Sequence, residues 1–268
     1  MKAKRRRPIP RYRLSDPETC VYDLDCRWVM RFLPRASIDL IFADPPFNWG
    51  VEYGMWDDEM PWDTYLDFTY EWLDACIPLL SPEGSLWINV PDDWVAEIVV
   101  YLKSENLVQM NWCIWHYRFG QCRDSNFIDS KTHVLYFVSN PSLRIWNPDE
   151  ILEPSDRAER YNDPRTQNSK TPGLRVPLDV WYGKNWGRIQ GNNRERRHGH
   201  PNQLPEKYLE RIIRACSHSE SIVLDPFLGS GTTCTVAHAL GRESIGIEID
   251  PDFAASAFER IEEGPVRI

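Results

Sequence analysis

Short runs rich in β-branched and aromatic residues alternate along this chain with longer stretches whose apolar positions recur every three to four residues. The short runs predict strands at residues 37–43, 85–90, 111–117, 133–138, 222–224 and 244–249. Between the first two, WDTYLDFTYEWLDACIPLL sets Tyr65, Phe68, Trp72, Cys76 and Leu79 on one helical face, closed by Pro82 and Gly84. Further helices are expected at 92–104, 205–217, 232–240 and 251–261. Strands separated by helix-length crossovers imply an α/β fold with a doubly wound, Rossmann-like and mainly parallel sheet. Residues 140–193 break this rhythm. They are rich in Pro, Asn, Arg and Trp, show no sustained periodicity and are too long for an ordinary loop. They are read as an inserted recognition region within one domain spanning residues 12–268, and residues 1–11 as a flexible basic arm.

At 268 residues the chain is long enough for a full α/β core. Its seven cysteines, an odd number without a CxxC pair, suggest neither a disulfide framework nor a thiolate zinc site, hence a reduced, cytoplasmic protein without a metal. There is no run of 18 apolar residues, and no apolar core follows the basic MKAKRRRPIPRYR, so neither membrane spanning nor secretion is expected. A net charge of −9 argues against phosphate binding as a property of the whole chain. The distribution changes that picture. Acidic residues crowd 57–74 and 243–263, whereas residues 183–200, GKNWGRIQGNNRERRHGH, carry Lys184, Arg188, Arg194, Arg196 and Arg197 against Glu195 alone. That segment is the candidate nucleic-acid contact of an otherwise acidic protein, its alternative being a solvated surface loop.

Two segments carry candidate chemistry. ADPPFNWG, residues 43–50, follows the apolar SIDLIF and sets a carboxylate, two prolines and an aromatic ring at a strand end. Alone it fits a Pro-rich turn that Asp44 caps and Phe47 anchors in the core. The second segment is SIVLDPFLGSGTTCTVAHALGRESIGIEID. It reads as a strand ending at Asp225, a Gly229-Ser-Gly231 turn, a helix from Thr232 to Gly241, and a strand ending in Glu248, 17 residues past Gly231. A side-chain-free turn at the C-terminal edge of a strand is where open α/β sheets bind nucleotides, and a carboxylate at that distance suits the ribose hydroxyls. GxGxxG is absent and Phe227 fills the place of its first glycine, which leaves little room for a pyrophosphate and favours a nucleoside without phosphates.

DPPF (residues 44–47) followed by DPFLGSGTT (residues 225–233) resembles the amino-methyltransferases of DNA, in the permuted beta group whose catalytic motif precedes the cofactor motif. PEGSLWINV (82–90), HPNQLPEKYLERII (200–213) and YDLDC (22–26) resemble further segments of that family, so the resemblance covers most of the chain. It implies the fold of S-adenosylmethionine-dependent methyltransferases and S-adenosylmethionine as cofactor. The cofactor would be held by Asp225, Phe227, Gly229, Gly231, Thr232 and Glu248, with Asp25 beside its adenine. By family order, residues 140–193 correspond to the target-recognition region. The implied reaction is methylation of the N6 amine of an adenine flipped out of DNA. Such an amine is a poor nucleophile because its lone pair is delocalised into the ring. The Asp44 carboxylate and the Pro45 carbonyl would each accept one amino hydrogen, Pro45 and Pro46 would hold that geometry, and Phe47 would stack on the base. No metal or covalent nucleophile is needed, and His116, His133 and His198 are assigned to packing or surface roles. The chain departs from the family at Leu204, usually Lys, and at Val134, Glu in many relatives.

Cytosine N4 is an alternative target of the same chemistry, although within the resembled family Asp in the first motif position usually accompanies adenine and Ser cytosine. RNA adenine enzymes with a similar DPP-aromatic motif and a non-catalytic S-adenosylmethionine-binding partner subunit are further alternatives. Protein glutamine methyltransferases use a related NPPY, but with the cofactor motif first, and the order found here disfavours them. DNA is the implied partner. A cognate restriction endonuclease and the choice between monomer and homodimer are left open.

Overall fold

A computed structural model describes residues 7–121, 125–161, 163–197 and 199–268. The first six residues of the basic arm, Cys122 and His198 lie outside the described residues. The chain forms β1 (Tyr12–Leu14), β2 (Thr19–Tyr22), α1 (Cys26–Met30), β3 (Ile38–Ala43), α2 (Trp62–Cys76), β4 (Leu80–Val90), α3 (Val95–Ser104), β5 (Val108–Gln121) and β6 (Asp129–Val138). It continues through β7 (Glu153–Pro154), α4 (Asp156–Glu159), α5 (Pro164–Gln167), β8 (Leu174–Arg175), β9 (Val180–Trp181), α6 (Glu206–Cys216), β10 (Ile222–Asp225), α7 (Thr232–Ala239), β11 (Glu243–Ile247) and α8 (Pro251–Glu263).

The central sheet has the order β1-β2-β11-β10-β3-β4-β6-β5-β9. From β2 to β4 neighbouring strands run parallel. β6 is antiparallel to both β4 and β5, β9 is parallel to β5, and β1 is antiparallel to β2. β3 shows why the interior strands read as unbroken apolar runs: Ile41 and Ala43 face one core while Leu40 and Phe42 face the other. On the first face α1, α2 and α3 pack through Met30, Tyr65, Trp72, Leu73 and Ile98. On the second, α6 and α7 pack through Tyr208, Ile212, Val236 and Ala237. The chain leaves β3 for β4 through α2 and leaves β10 for β11 through α7, on opposite faces and in opposite directions along the sheet. Adjacent strands whose crossovers diverge in this way leave a crevice beyond their carboxyl ends.

Several boundaries differ from the sequence reading. β4 starts at Leu80, five residues before the expected 85, because Pro82 and Gly84 are taken up where the β3 pairing shifts register between Ile38 and Leu40. A Cβ on Gly84 would stand 2.7 Å from the Ile38 carbonyl oxygen, so only glycine fits there. YDLDC is the end of a strand and the turn after it: β2 precedes it, and Asp25 caps α1. β11 stops at Ile247, so Glu248 is the first residue beyond the strand. Within residues 140–193, β7 and β8 pair in a small separate sheet, whereas β9 joins the edge of the central one. Trp181 and Trp186 are buried in the second core, and the Arg211 guanidinium of α6 lies over their rings, 5.4 and 4.4 Å from the centroids. Isolated tryptophans, not a periodic face, anchor this region, and periodicity could not find them.

One buried ionic network ties the C-terminal segment to the glycine turn. Arg260 of α8 is 1% exposed and donates to the Glu206 carboxylate (3.1 Å), the Ser230 carbonyl (3.1 Å) and the Thr232 hydroxyl (2.6 Å). Glu206 also accepts from the amides of Val266 and Arg267, both at 2.9 Å. Glu195 in turn accepts the Glu206 amide at 2.8 Å and pairs with Arg267, so the one acid of the basic segment is a buried helix cap. Removing one member of a buried pair strands the other charge at about 3–5 kcal/mol. Arg260→Leu is therefore expected to lower stability to denaturant by about that amount, and Glu206→Gln likewise, because its NH2 end would face a donor and leave the Arg260 charge unpaired. An unchanged denaturation midpoint for Arg260→Leu would contradict the assignment.

Candidate active site

β3 and β10 pair in register with Leu224 beside Ile41, so the strands deliver Asp225 and, two residues further out, Asp44 to the same edge. The polypeptide then turns through the two prolines, and its carbonyls are divided between structure and cleft. The Pro46 carbonyl accepts the Tyr65 hydroxyl at 2.6 Å, and the Phe47 carbonyl accepts the Trp94 indole at 2.8 Å. Among the described residues none donates to the Pro45 carbonyl. Asp44 accepts the Asn89 side-chain amide at Oδ1, at 2.8 Å. Burial raises the Asp44 carboxyl to about 7; the Asn89 hydrogen bond opposes the rise and the charge of Asp225 adds to it. Asp225 is likewise pushed up to about 7 by burial, against hydrogen bonds from the Thr233 hydroxyl and the Phe227 amide. Phe47 meets Trp49 edge to face at 5.2 Å, and both rings line the cleft.

The glycine turn forms the opposite wall. Gly231 sits at φ +79°, a left-handed conformation, and starts α7; a Cβ there would lie 3.0 Å from the Ala257 carbonyl. Gly229, at φ +49°, abuts the His200 ring, whose Nε2 is 2.7 Å from where its Cβ would stand. Burial holds that imidazole near 4, hence neutral at physiological pH. Glu248 accepts the Gly229 amide at 2.9 Å through one oxygen and the Asp250 amide at 3.0 Å through the other. Each oxygen keeps a lone pair for a ribose hydroxyl. Phe227 packs edge-on against Trp72 at 5.2 Å, which seats its ring in the cleft floor. Burial also raises Glu248, so three carboxyls around this cleft ionise reluctantly and suit a ligand that brings a positive charge. These donors and acceptors fit S-adenosylmethionine, which carries a ribose and a sulfonium.

Most of the residues singled out in the sequence meet here. Asp25, Asp44, Pro45, Pro46, Phe47, Asp225, Phe227, Gly229, Thr232, Glu248 and Arg188 line one cleft. The Asp25 carboxylate, though it lines the wall, is committed to Arg27 at 2.6 Å and to capping α1. Thr232 is held by Arg260 and donates to the Leu204 carbonyl at 3.3 Å. The basic segment divides. Lys184, Arg194 and Arg196 are exposed, Arg197 pairs with Glu263 at 2.5 Å, and Arg188 sits 5.5 Å from the Tyr117 ring centre and bonds Asn202 at 3.0 Å inside the cleft. Leu204 and Val134 both belong to the second core, where their apolar character packs. His133 bridges the Trp112 indole (2.7 Å) and Asp92 (2.5 Å), and His116 meets the Ser130 carbonyl at 3.0 Å. All six described cysteines are free and buried, and no metal-binding cluster occurs among the described residues. Among the described residues no helix is long and apolar enough to cross a membrane.

Sequence reasoning missed a loop that closes the cleft. After Phe47 the chain folds back on Asp58, whose carboxylate accepts the amides of Asn48 (2.8 Å), Trp49 (3.0 Å) and Val51 (3.0 Å). The Tyr53 hydroxyl accepts Asn202 Nδ2 at 3.0 Å, and Gly54, at φ +65°, passes so close to Asp250 that a Cβ would lie 2.5 Å from its carboxylate. The only local signs of it in the sequence are the acids of 57–74, which by themselves read as a charge cluster, and the glycines at 50 and 54.

A family profile for DNA methylases matches residues 38–259. The chain is 33% identical to the Type II methyltransferase M.HpaI of Haemophilus parainfluenzae, over 87% of its length and 71% of that protein. It is 32% identical to the DNA adenine methyltransferase YhdJ of Escherichia coli (strain K12), over 87% of its length and 79% of that protein. Among solved structures it resembles the cytosine-N4-specific PvuII DNA methyltransferase, with a TM-score of 0.69 at 16% identity over 91% and 90% of the two chains. It also resembles M1.HpyAVI in its S-adenosylmethionine complex, with a TM-score of 0.58 at 21% identity over 90% and 99%. With the profile spanning both motif strands, the glycine turn and Glu248, the chain belongs to the family of S-adenosylmethionine-dependent DNA methylases that act on the amines of adenine and cytosine.

Proposed function

We propose that this DNA methyltransferase acts on the N6 amine of an adenine flipped out of the duplex, with Asp44 and the Pro45 carbonyl as the two acceptors of the amino hydrogens. The observation that carries this reading is the division of labour in the DPPF turn: the Pro46 and Phe47 carbonyls are used by Tyr65 and Trp94, while the Pro45 carbonyl and Asp44 Oδ2 receive no donor among the described residues. When bound, S-adenosylmethionine supplies a methyl group already activated on a sulfonium. The protein's part is to draw the amino hydrogens into the plane of its two acceptors, so that the nitrogen lone pair leaves conjugation and turns toward that methyl group. An ionised Asp44 then takes the proton that the methylated amine must lose. Phe47 and the half-exposed Trp49 offer the flipped base its stacking surface, offsetting part of an unstacking cost of a few kcal/mol. Asp in the first position of the motif and the likeness to an adenine methyltransferase favour adenine over cytosine.

For cofactor binding, Glu248 holds the ribose, Gly229 lines the cleft beneath the His200 ring, Gly231 lets the turn pack against α8, and Asp225 and Phe227 flank the nucleoside. Lys184, Arg194 and Arg196 are proposed as phosphate contacts, with Arg188 facing the flipped base and not the backbone, and residues 140–193 as the recognition region. Arg197 is engaged by Glu263 and contributes less.

Transfer of tritiated methyl to unmethylated duplex DNA, followed by nucleoside digestion, is expected to give N6-methyladenine. N4-methylcytosine without N6-methyladenine would overturn the target assignment. In the same assay Asp44→Ala is expected to lower kcat by about 10²–10³-fold or more with cofactor affinity nearly unchanged. Neutralising Lys184, Arg194 and Arg196 together is expected to weaken DNA binding on every sequence and to flatten the slope of log K against log salt by about 0.9 for each phosphate that is no longer neutralised. An unchanged slope would return the segment to plain surface.

A further inference from the structure

Asn89 stands on β4 immediately beyond Ile88, the residue paired with Ala43, so it lies alongside Asp44 across a parallel ladder. It is 2% exposed and every polar atom of its side chain is accounted for in one direction. Its Oδ1 accepts the Thr132 hydroxyl of β6 at 2.7 Å and the Tyr208 hydroxyl of α6 at 3.3 Å; its Nδ2 donates to Asp44 Oδ1 at 2.8 Å. A hydroxyl can donate or accept, but an ionised carboxylate can only accept, so the NH2 end of the amide faces Asp44 and the two hydroxyls donate to Oδ1 and hold it there. An amide that can only donate at that point favours the ionised carboxylate, occupies Oδ1 and leaves Oδ2 as the remaining acceptor.

We infer that Asn89, oriented by Thr132 and Tyr208, is a positioning residue that keeps Asp44 ionised and fixes which of its oxygens receives the target amine. The inference rests on the reading of Asp44 as the amine acceptor. Burial and the like charge of Asp225 on β10 oppose the ionisation of Asp44. Tyr208 on α6, Tyr65 on α2 and Tyr53 of the closing loop lie near it as phenols that burial and the Asp44 charge keep protonated, so they bring it no opposite charge. Arg188 is the one cation lining the cleft among the described residues, and it is already engaged by Asn202 and Tyr117; His200, also in the cleft, is neutral. The donor from Asn89 is thus, among the described residues, the one side-chain hydrogen bond lowering the Asp44 carboxyl. Tyr208 and Thr132 are themselves buried, so the two hydrogen bonds that hold Asn89 are buried, while its bond to Asp44 is half-buried at the cleft wall.

The test is the pH dependence of kcat at saturating DNA and S-adenosylmethionine, on the full-length protein. A base that must be ionised gives an acid limb, with activity falling as the pH drops through its pKa. Asn89→Leu, which removes the donor, is expected to move that limb to higher pH by about one unit or more and to lower kcat while the KM for DNA and the cofactor Kd stay close to wild type. Thr132→Val is expected to shift the limb the same way by less, and Thr132→Ser, which returns the hydroxyl, to bring it back. A folded Asn89→Leu protein with a wild-type limb overturns the inference. If Asn89→Leu does not fold, a wild-type limb for Thr132→Val overturns it instead. Asp44→Ala measured alongside separates the two levels: turnover retained by that variant removes the catalytic reading, whereas turnover lost with the limb unmoved in the Asn89 and Thr132 variants removes only the relay.

Discussion

Two carboxylates at the ends of neighbouring parallel strands organise everything else in this molecule. The ladder between β3 and β10 brings the backbones of Asp44 and Asp225 to the same edge of the sheet, and the charge of Asp225 adds to the rise of Asp44. Asp225 is buried and Asp44 half-buried at the cleft wall, and both are raised to about 7 chiefly by burial. A fold that held such a pair with nothing in return would be a poor one, since ionising either group opposes folding as the pH rises above the ordinary carboxylate range. On the proposed function, what it would gain is a field that favours a sulfonium at the glycine side and acceptors for an amine at the proline side. The Arg260–Glu206 network, by contrast, is internally neutral, and it braces the glycine turn without adding charge to the cleft.

Much of this was legible in the chain. The apolar strands, the aromatic face of α2, the glycine turn and the acid following the next strand all follow from local patterns, because each is set by residues adjacent in sequence. The elements that escaped depend on partners far away. β1, β2 and β9 are two to four residues long and exist because an existing sheet edge accepts them. Asn89 reads as one more strand residue inside SLWINV, and its importance comes from its neighbour on another strand. Trp181 and Trp186 look like recognition-loop aromatics until α6 is set against them.

Charge illustrates the same limit. The basic stretch at 183–200 was visible as composition, yet its members have different fates. Glu195 is a buried cap, Arg197 answers Glu263, Arg188 turns into the cleft, and the remaining three cations face solvent. Net charge describes how the molecule repels or attracts at long range. Which cation can reach a phosphate is decided by side-chain partners that composition does not report.

The loop clamped by Asp58 gives the two ends of the cleft a common door. Its Trp49 borders the proline turn, while its Tyr53 lies beside His200, the ring that covers Gly229. One stretch of backbone therefore roofs the proline-turn end and the glycine-turn end together, and it is fastened at Asn202 and beside Asp250, on the glycine-turn side. Any displacement that parts the Tyr53 hydroxyl from Asn202 would pull on the same short loop that holds Trp49 through Asp58. On the proposed function, base and methyl donor would then share one doorway.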